Sequence, residues 1–301
     1  MAISRAQLVK ELEPGLNALF GLEYRQYADE TKEIFDTESS DRAFEEEVML
    51  SGFGNAAVKP EGQGIQFDDA QETFTARYTN ETIALAFAIT EEAIEDNLYD
   101  RLASRYTKAL ARSMANTKQV KGAGVLNNGF LATFAGGDGQ PLFSNVHPTL
   151  SGTFSNMLAT AADLNETSLE QSLIDIAAMT DERGLLIAAR GMKLVIPSAL
   201  QFTADRLMNS QGQTGTADND INAIKNMGMI PQGYTLNHYL TNARRWFIKT
   251  DVPNGLKHFN RSPIKTTMEG DFDTGNVRYK ARERYVFGFS DPRGAFGSGA
   301  L

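Results

Sequence analysis

Apolar residues alternate with a period of two along "ETIALAFAIT" (81–90). Ile83, Leu85, Phe87 and Ile89 share one face, and Ala84, Ala86 and Ala88 the other. With both faces apolar, this strand is expected to lie buried beneath another element. The period then changes. Ile94, Leu98, Leu102, Tyr106, Leu110 and Met114 recur every four residues, which predicts a long helix. Thr90 caps it, Glu91, Glu92 and Glu95 sit at the positive end of its dipole, and Lys118 and Lys121 sit near the other end. Gly122 and Gly124 are its expected stop. At ~1.5 Å per residue, some thirty residues make a rod of about 45 Å. Four residues turn about 400°, so the apolar stripe drifts about 40° per step and winds around the rod. One partner cannot cover such a stripe, and the helix reads as a strut crossing several elements.

Upstream, the first 25 residues read as one or two short helices, with Ser4 capping the first and Pro14 breaking or restarting it. "RAFEEEVML" (42–50) has helical spacing at Phe44, Val48 and Met49. Residues 51–80 are rich in glycine and polar residues, with faint alternation at Phe74, Ala76 and Tyr78. They predict a long, irregular two-stranded hairpin with little core of its own. Such an excursion is seldom stable alone in water, so it lies on its own domain or reaches onto another molecule.

Downstream the pattern is α/β. A helix over 168–184 is expected, capped at Ser168 with Gln171 three residues on and stopped by Gly184. "MKLVIPSAL" predicts a strand, "SALQFTADRLMNS" a helix, 211–223 a polar loop, and "RRWFIKTDV" a strand containing Trp246, the only tryptophan. A hairpin with a glycine-rich tail closes the chain. No internal repeat is present.

Composition narrows the classes. The 301 residues are 42% hydrophobic and 22% charged, as in a soluble globular protein. The absence of cysteine excludes disulfides, thiolate metal sites and cysteine nucleophiles. No signal-peptide pattern and no membrane-length apolar run occur, so the expected setting is a cytosol. Net charge is 29 − 38 = −9, which argues against a dedicated nucleic-acid binder. The charge is unevenly placed. Residues 29–47 hold nine acids against two bases, and residues 242–293 hold eleven bases against six acids. Within the latter, Arg278, Lys280, Arg282 and Arg284 fall on one face of a strand, opposite Val277, Tyr279, Ala281, Tyr285, Phe287 and Phe289. At ~6.8 Å per residue pair this is a basic ladder about 20 Å long. Four like charges in a row repel unless something acidic lies across them. The expected partner is an acidic stretch of the same or a neighbouring subunit, residues 29–47; the alternatives are a solvated face and contact with nucleic acid, which fits the overall acidity less well.

Candidate chemistry concentrates in "GGDGQPLFSNVHPT" (136–149), which mixes glycines, an aspartate, a serine and a histidine. Only three histidines exist, His147, His238 and His258, with no second histidine at ligand spacing and no HExxH. The acidic doublets "DFD" (271–273) and "DND" (218–220) read as turn residues. Ser144 and His147 lie three apart, and sequence neighbours rarely form a triad. "GFSDPRG" (288–294) departs from GxSxG at Asp291, "GAGVLNNG" (122–129) has the wrong spacing for a dinucleotide loop, and no phosphate-binding GxxxxGK[ST] occurs. His147, ahead of Pro148, is expected to tie down a turn. No catalytic, cofactor or metal residue is assigned.

The order of elements resembles the major capsid proteins of tailed bacteriophages, with their α+β HK97-type fold. Residues 59–100, "DGQPLFSNVHPT" (138–149) and "VRYKARERYVFGFSDPRGAFGS" (277–298) resemble the Mu-like major head subunits in particular. The resemblance implies an N-terminal arm (1–50), an extended E-loop (51–82), a P-domain with a spine helix (83–149), an A-domain (150–255), and P-domain strands and tail (256–301). The polar loop 211–223 would approach a capsomer axis, and the 136–149 loop would mark the passage between the two domains. Phe53, Phe67 and Phe74 would be buried on a neighbour, as would the ladder Arg278, Lys280, Arg282 and Arg284. The implied partners are the chain itself, in hexamers and pentamers of an icosahedral shell, a scaffolding protein, a portal and a decoration protein. The shell would enclose double-stranded DNA without sequence-specific binding. Assembly would occur in a bacterial cytoplasm, with no membrane and no cofactor. No long helical N-terminal scaffold extension is seen, which implies a separate scaffold or a removed segment, and the residue set for a Lys–Asn crosslink is not matched. Two other readings stand beside this one: an encapsulin-type compartment holding protein cargo, and a cytosolic α/β enzyme with a carboxylate site.

Overall fold

The computed structural model of the chain describes residues 5–90, 92–93, 99–212, 221–271 and 274–299. The closing hairpin is its longest feature. β10 (Leu256–Gly270) and β11 (Val277–Phe289) pair antiparallel, with register shifts on either side of Ser262, next to Pro263, which has no N–H to give the ladder. β4 (Glu81–Ile89) adds antiparallel to β11, and β1 (Asp36–Ser39) adds parallel to β10, giving the order β1-β10-β11-β4. Two helices, α1 (Arg5–Gln26) and α2 (Tyr99–Asn127), cover one face of this sheet. Leu16, Phe20, Leu110, Ala111 and Met114 pack there on Ile89, Met268, Val277, Tyr279 and Ala281.

The second sheet has the order β12-β9-β7-β8, from Ala295–Ser298, Trp246–Thr250, Gly191–Ile196 and Tyr234–Leu236. Its strands are apolar on both sides, as suits a sheet covered on both. Leu194, Ile196, Trp246 and Ile248 face α3 (Glu166–Ala177), α4 (Gln201–Asn209) and α5 (Ala223–Met227). Val195 and Phe247 face the other way, onto Phe143 and Leu126 at the end of α2. The strut therefore does cross several elements: α1, the first sheet, and the back of the second.

A third piece is a hairpin of β2 (Phe44–Leu50) and β3 (Glu72–Thr79), whose connecting residues 51–71 form no strand. β5 (His147–Thr149) and β6 (Gly152–Phe154) form a short hairpin between α2 and α3.

Several expectations are corrected. Pro14 does not break α1, which runs through it; proline's φ is helical, and burial of Leu16 and Phe20 offsets the lost hydrogen bond. Residues 44–50 are a strand, because pairing with β3 overrides the helical spacing, and Glu45 and Glu47 turn toward Ser40 and Lys257. β4 is only half-buried in the subunit: Ile83, Phe87 and Ile89 pack beneath the helices as expected, but the strand forms an open sheet edge with its alanine face exposed and Leu85 46% accessible. Gly122 and Gly124 lie inside α2; a Cβ at Gly122 would stand 2.5 Å from Thr31 Cγ2, so this glycine allows close packing instead of ending the helix. Ser168 is not the cap of α3. Asn165 is, accepting from Ser168 N at 2.8 Å in a reciprocal capping box, and the helix ends at Ala177. Thr90 Oγ1 does accept from Ala93 N, at 3.4 Å. Ser4, Glu91, Ile94, Glu95, Leu98 and most of the 211–223 loop lie outside the described residues.

Candidate assembly surfaces

The outward face of β11 carries the ladder. Register sets Arg278, Lys280, Arg282 and Arg284 beside Ala88, Ala86, Ala84 and Thr82 of β4 on one side and beside Glu269, Thr267, Lys265 and Ser262 of β10 on the other. Arg278 is ion-paired to Asp271. Among the described residues no carboxylate pairs with Lys265, Lys280, Arg282 or Arg284, although Lys265 lies directly across from Arg282. Like charges so placed are destabilising. Four cations without a carboxylate partner thus stand on the outward sheet face beside the exposed alanines of β4.

The acidic segment 29–47 is engaged elsewhere in the same chain. Asp29 holds Lys118 at 3.4 Å, Glu33 holds Lys193 at 3.3 Å, and Asp36 holds Lys249 at 2.8 Å. Glu30 pairs with His238 at 2.6 Å, and Glu38 and Glu47 flank Lys257. Burial works against the Lys257 ammonium, but the two carboxylates win and its pKa lies above the ordinary lysine value. The expectation that these acids cross the ladder is therefore corrected for the single chain. The charge asymmetry is real, but most of it is an internal match that straps the N-terminal segment to both sheets.

The inward face of β11 holds an anomaly of the opposite sign. Glu283 is buried, with Oε1 unpartnered, while Oε2 accepts from Tyr24 Oη at 3.3 Å. Burial pushes its carboxyl up to about 7, against the pull of Lys118 and the Tyr24 hydrogen bond. Nearby, His258 stacks on Phe287 at 4.3 Å, and burial, aided by Lys118, lowers it to about 4, so it is a neutral imidazole at pH 7.

The strandless connection 51–71 exposes its apolar side chains. Phe53 is 60% and Phe67 85% accessible, with Val58 and Ile65 similarly bare. Phe74 differs: it is half-buried and lines a small cavity with Gly137, Asp138 and Phe154. The return limb is tethered at one point, where Arg183 lies 3.6 Å from Asp68 and donates to the Asp69 carbonyl.

The 136–149 loop contains no nucleophile–base pair. Ser144 Oγ accepts from Val146 N at 3.2 Å and lies 3.5 Å from Gln140 Oε1, while His147 is fully buried between Asp138 and Asn156. The side chain does tie down a turn. Among the described residues no group of three or more histidines or acids could hold a metal, and Asp271 of the "DFD" run bonds Thr274 and Arg278.

A family described as "Phage capsid protein" matches residues 72–297, three quarters of the chain. The chain belongs to this family. That match makes it a structural major capsid protein that forms the phage shell. Solved structures agree in fold. The virus-like particle from Pyrococcus furiosus aligns over 94% of this chain and 97% of that one at 8% identity, with a TM-score of 0.53. The procapsid of bacteriophage JBD30 aligns over 98% and 76% at 17% identity, TM-score 0.52, and the capsid of the native GTA particle over 90% and 90% at 12% identity, TM-score 0.50. Comparison with curated proteins gives no match. The capsid protein thus has the α+β HK97-type fold.

Sequence reasoning missed three structural features of the capsid protein. Lys265 joins the ladder only through cross-strand register, which no local pattern reveals. Glu283 was legible: it has the parity of Tyr279, Ala281 and Tyr285, so the alternation itself sends it inward. Asn156, buried and donating to the Pro292 carbonyl 136 residues away, has no local signal.

Proposed function

We propose that this capsid protein assembles into hexamers and pentamers whose closed shell encloses double-stranded phage DNA. The observation that carries this reading is the phage-capsid family match across 72–297. In this reading residues 1–50 form the arm, 51–82 the E-loop, 83–149 and 256–301 the P-domain, and 150–255 the A-domain. The E-loop of one copy lies over its neighbour, burying Phe53 and Phe67 there, each apolar side chain contributing about 2 kcal/mol. Phe74 serves the base of that loop. The ladder of Lys265, Lys280, Arg282 and Arg284 receives an anionic segment of the neighbour. Every copy has the same internal pairs, so segment 29–47 of a neighbour is engaged within that neighbour and is not free to cross the ladder. Glu61, Asp69 and Glu72 of the E-loop have no ion pair among the described residues and are the acids available. Repeated weak contacts of this kind close a shell by symmetry.

A scaffolding protein, a portal and a decoration protein complete the particle, and assembly takes place in the bacterial cytoplasm. No helix among the described residues is long and apolar enough to cross a membrane. The test is electron microscopy of the protein expressed with its genomic neighbours, followed by nuclease digestion. Shells holding protected DNA are expected. Shells holding only protein would favour the encapsulin-type compartment, and a small discrete oligomer with no shell would overturn the reading.

A further inference from the structure

Asn156 is buried at the meeting point of three segments, and its orientation is determined. Nδ2 lies 2.6, 2.9 and 3.2 Å from the carbonyl oxygens of Leu142, Pro292 and Ala295, and only the NH2 end of an amide can face carbonyls. Oδ1 therefore points the other way, where it accepts from Ser144 N at 3.0 Å and lies 3.2 Å from His147 Nε2. That nitrogen must carry a hydrogen. The other ring nitrogen, Nδ1, lies 2.6 Å from Asp138 Oδ2, on a carboxylate whose Oδ1 already accepts from Gln140 N at 3.1 Å. A neutral imidazole has one N–H, and this site calls for two.

We propose that His147 is held as an imidazolium in the folded chain, and that this proton fastens the junction between the β2–β3 hairpin, the β5–β6 hairpin and the closing turn 290–295. The inference is independent of the shell reading. The charged groups facing the site agree with it. Asp138 approaches from its own loop, Asp291 and Arg293 from the closing turn, and Glu182 from the turn after α3. Arg293 pairs with Glu182 at 2.8 Å and with Asp291 at 3.3 Å, and its guanidinium lies 4.1 Å over the Phe154 ring, on which His147 also stacks at 4.8 Å. With the imidazolium, two cations meet the carboxylates of Asp138 and Glu182, while burial pushes the Asp291 carboxyl up toward its neutral form. The junction also seats the β2–β3 hairpin, because Gly137 presses on the Thr75 carbonyl so closely that a Cβ would stand 2.6 Å away.

The consequence is proton uptake on folding. An unfolded histidine is mostly neutral above about pH 6.5, so there the folded state binds one proton more and stability falls as pH rises. Asp138→Asn separates this from general alkaline weakening. Its Nδ2 donates to Nδ1 of a neutral ring and its Oδ1 keeps Gln140 N, so every bond is made without the extra proton. Urea unfolding of the full-length protein is measured from pH 6 to pH 9. The folding constant of wild type relative to Asp138→Asn is expected to fall by up to about tenfold per pH unit above about pH 6.5. In 15N-histidine-labelled wild type at pH 8, both ring nitrogens of His147 are expected to be protonated. Equal pH slopes in the two proteins, or an unprotonated Nδ1 at pH 8, would overturn the proposal. Should Asp138→Asn not fold, the labelled wild type alone decides it.

Discussion

The two faces of β11 meet opposite electrostatic problems and resolve them differently. Outward, Lys280, Arg282 and Arg284 stand with Lys265 and have no carboxylate among the described residues. Inward, Glu283 sits among Tyr279, Ala281 and Tyr285 with one oxygen unpartnered. The inner charge can be removed by a proton, and its carboxyl is pushed up to about 7 accordingly. The outer charges cannot, since lysine and arginine stay protonated at any physiological pH. Water screens Lys265, Lys280 and Arg282 in the free subunit, so they cost little there, whereas Arg284 is half-buried with its Nε unpartnered. They become consequential only when another surface displaces that water. A burden that is tolerable in the subunit and relieved by a neighbour is what an assembly face requires.

The largest effect expected from breaking this contrast is on the outer face. Lys280→Glu with Arg282→Glu should leave subunit stability within about 0.5 kcal/mol of wild type, because both side chains are exposed and unpaired. Shell formation should be lost, since reversing two charges in every repeated contact turns attraction into repulsion. Urea unfolding and negative-stain microscopy of the same preparation read both quantities. Normal shells from the double variant would remove the ladder from the assembly interface.

The inner face gives a smaller effect, measured on the subunit itself. Glu283 titrates near 7 when folded against about 4.3 when unfolded, so its folded-state pKa is raised. Its contribution is intact below about pH 4 and is lost as pH rises through about 7. Above that, the buried carboxylate costs about 3 kcal/mol. Glu283→Gln is expected to stabilise the subunit by that order at pH 8, by nothing at pH 4, and to flatten the slope between. This window lies below the one assigned to His147, so the two are separable in one pH series.

Much of this contrast could be read from alternation alone. The β10–β11 hairpin, its basic face and the strut helix follow from local periodicity, because each element's exposed and buried sides are written into two or four successive residues. What was illegible depended on partners distant in sequence. β4 looks buried because its two faces are apolar, yet it has only one strand neighbour within the subunit, and only its Ile83, Phe87 and Ile89 face is covered. "FEEEVML" looks helical until β3 is placed beside it. The acidic segment looks like a partner for the ladder because composition counts charges without direction, whereas Lys118, Lys193, Lys249 and Lys257 have a prior claim on it.

The exposed phenylalanines extend the contrast to apolar surface. Phe67→Ser should not alter subunit unfolding, since the ring is 85% accessible. If it is buried on a neighbour, losing about 2 kcal/mol per contact raises the protein concentration needed for assembly about thirtyfold. Light scattering against concentration reads this shift. An unchanged threshold would place Phe67 outside the interface.

The smallest effect concerns Arg183, a half-buried cation that, unlike the ladder, does have a partner. It lies 3.6 Å from Asp68 and donates to the Asp69 carbonyl, tethering the return limb of the 51–71 connection to the turn after α3. Such a screened pair contributes about 0–1 kcal/mol. Arg183→Ala is therefore expected to leave unfolding nearly unchanged and to speed amide hydrogen exchange modestly in residues 67–71. β2 and β3 should be unaffected, because their ladder does not involve it. Gly54 N, which donates to Asp68 Oδ2 at 2.7 Å, is the sensitive reporter: its protection should fall if the arginine is what holds that carboxylate in place. Unchanged exchange at Gly54 would mean that the turn within 54–68 is held by its own backbone and that Arg183 merely rests on it. Either result bears on the ladder. If supplying a partner to such a cation contributes so little in the subunit, subunit stability does not require partners for the ladder cations either, and only shell formation by the Lys280→Glu, Arg282→Glu variant decides whether a neighbour supplies them.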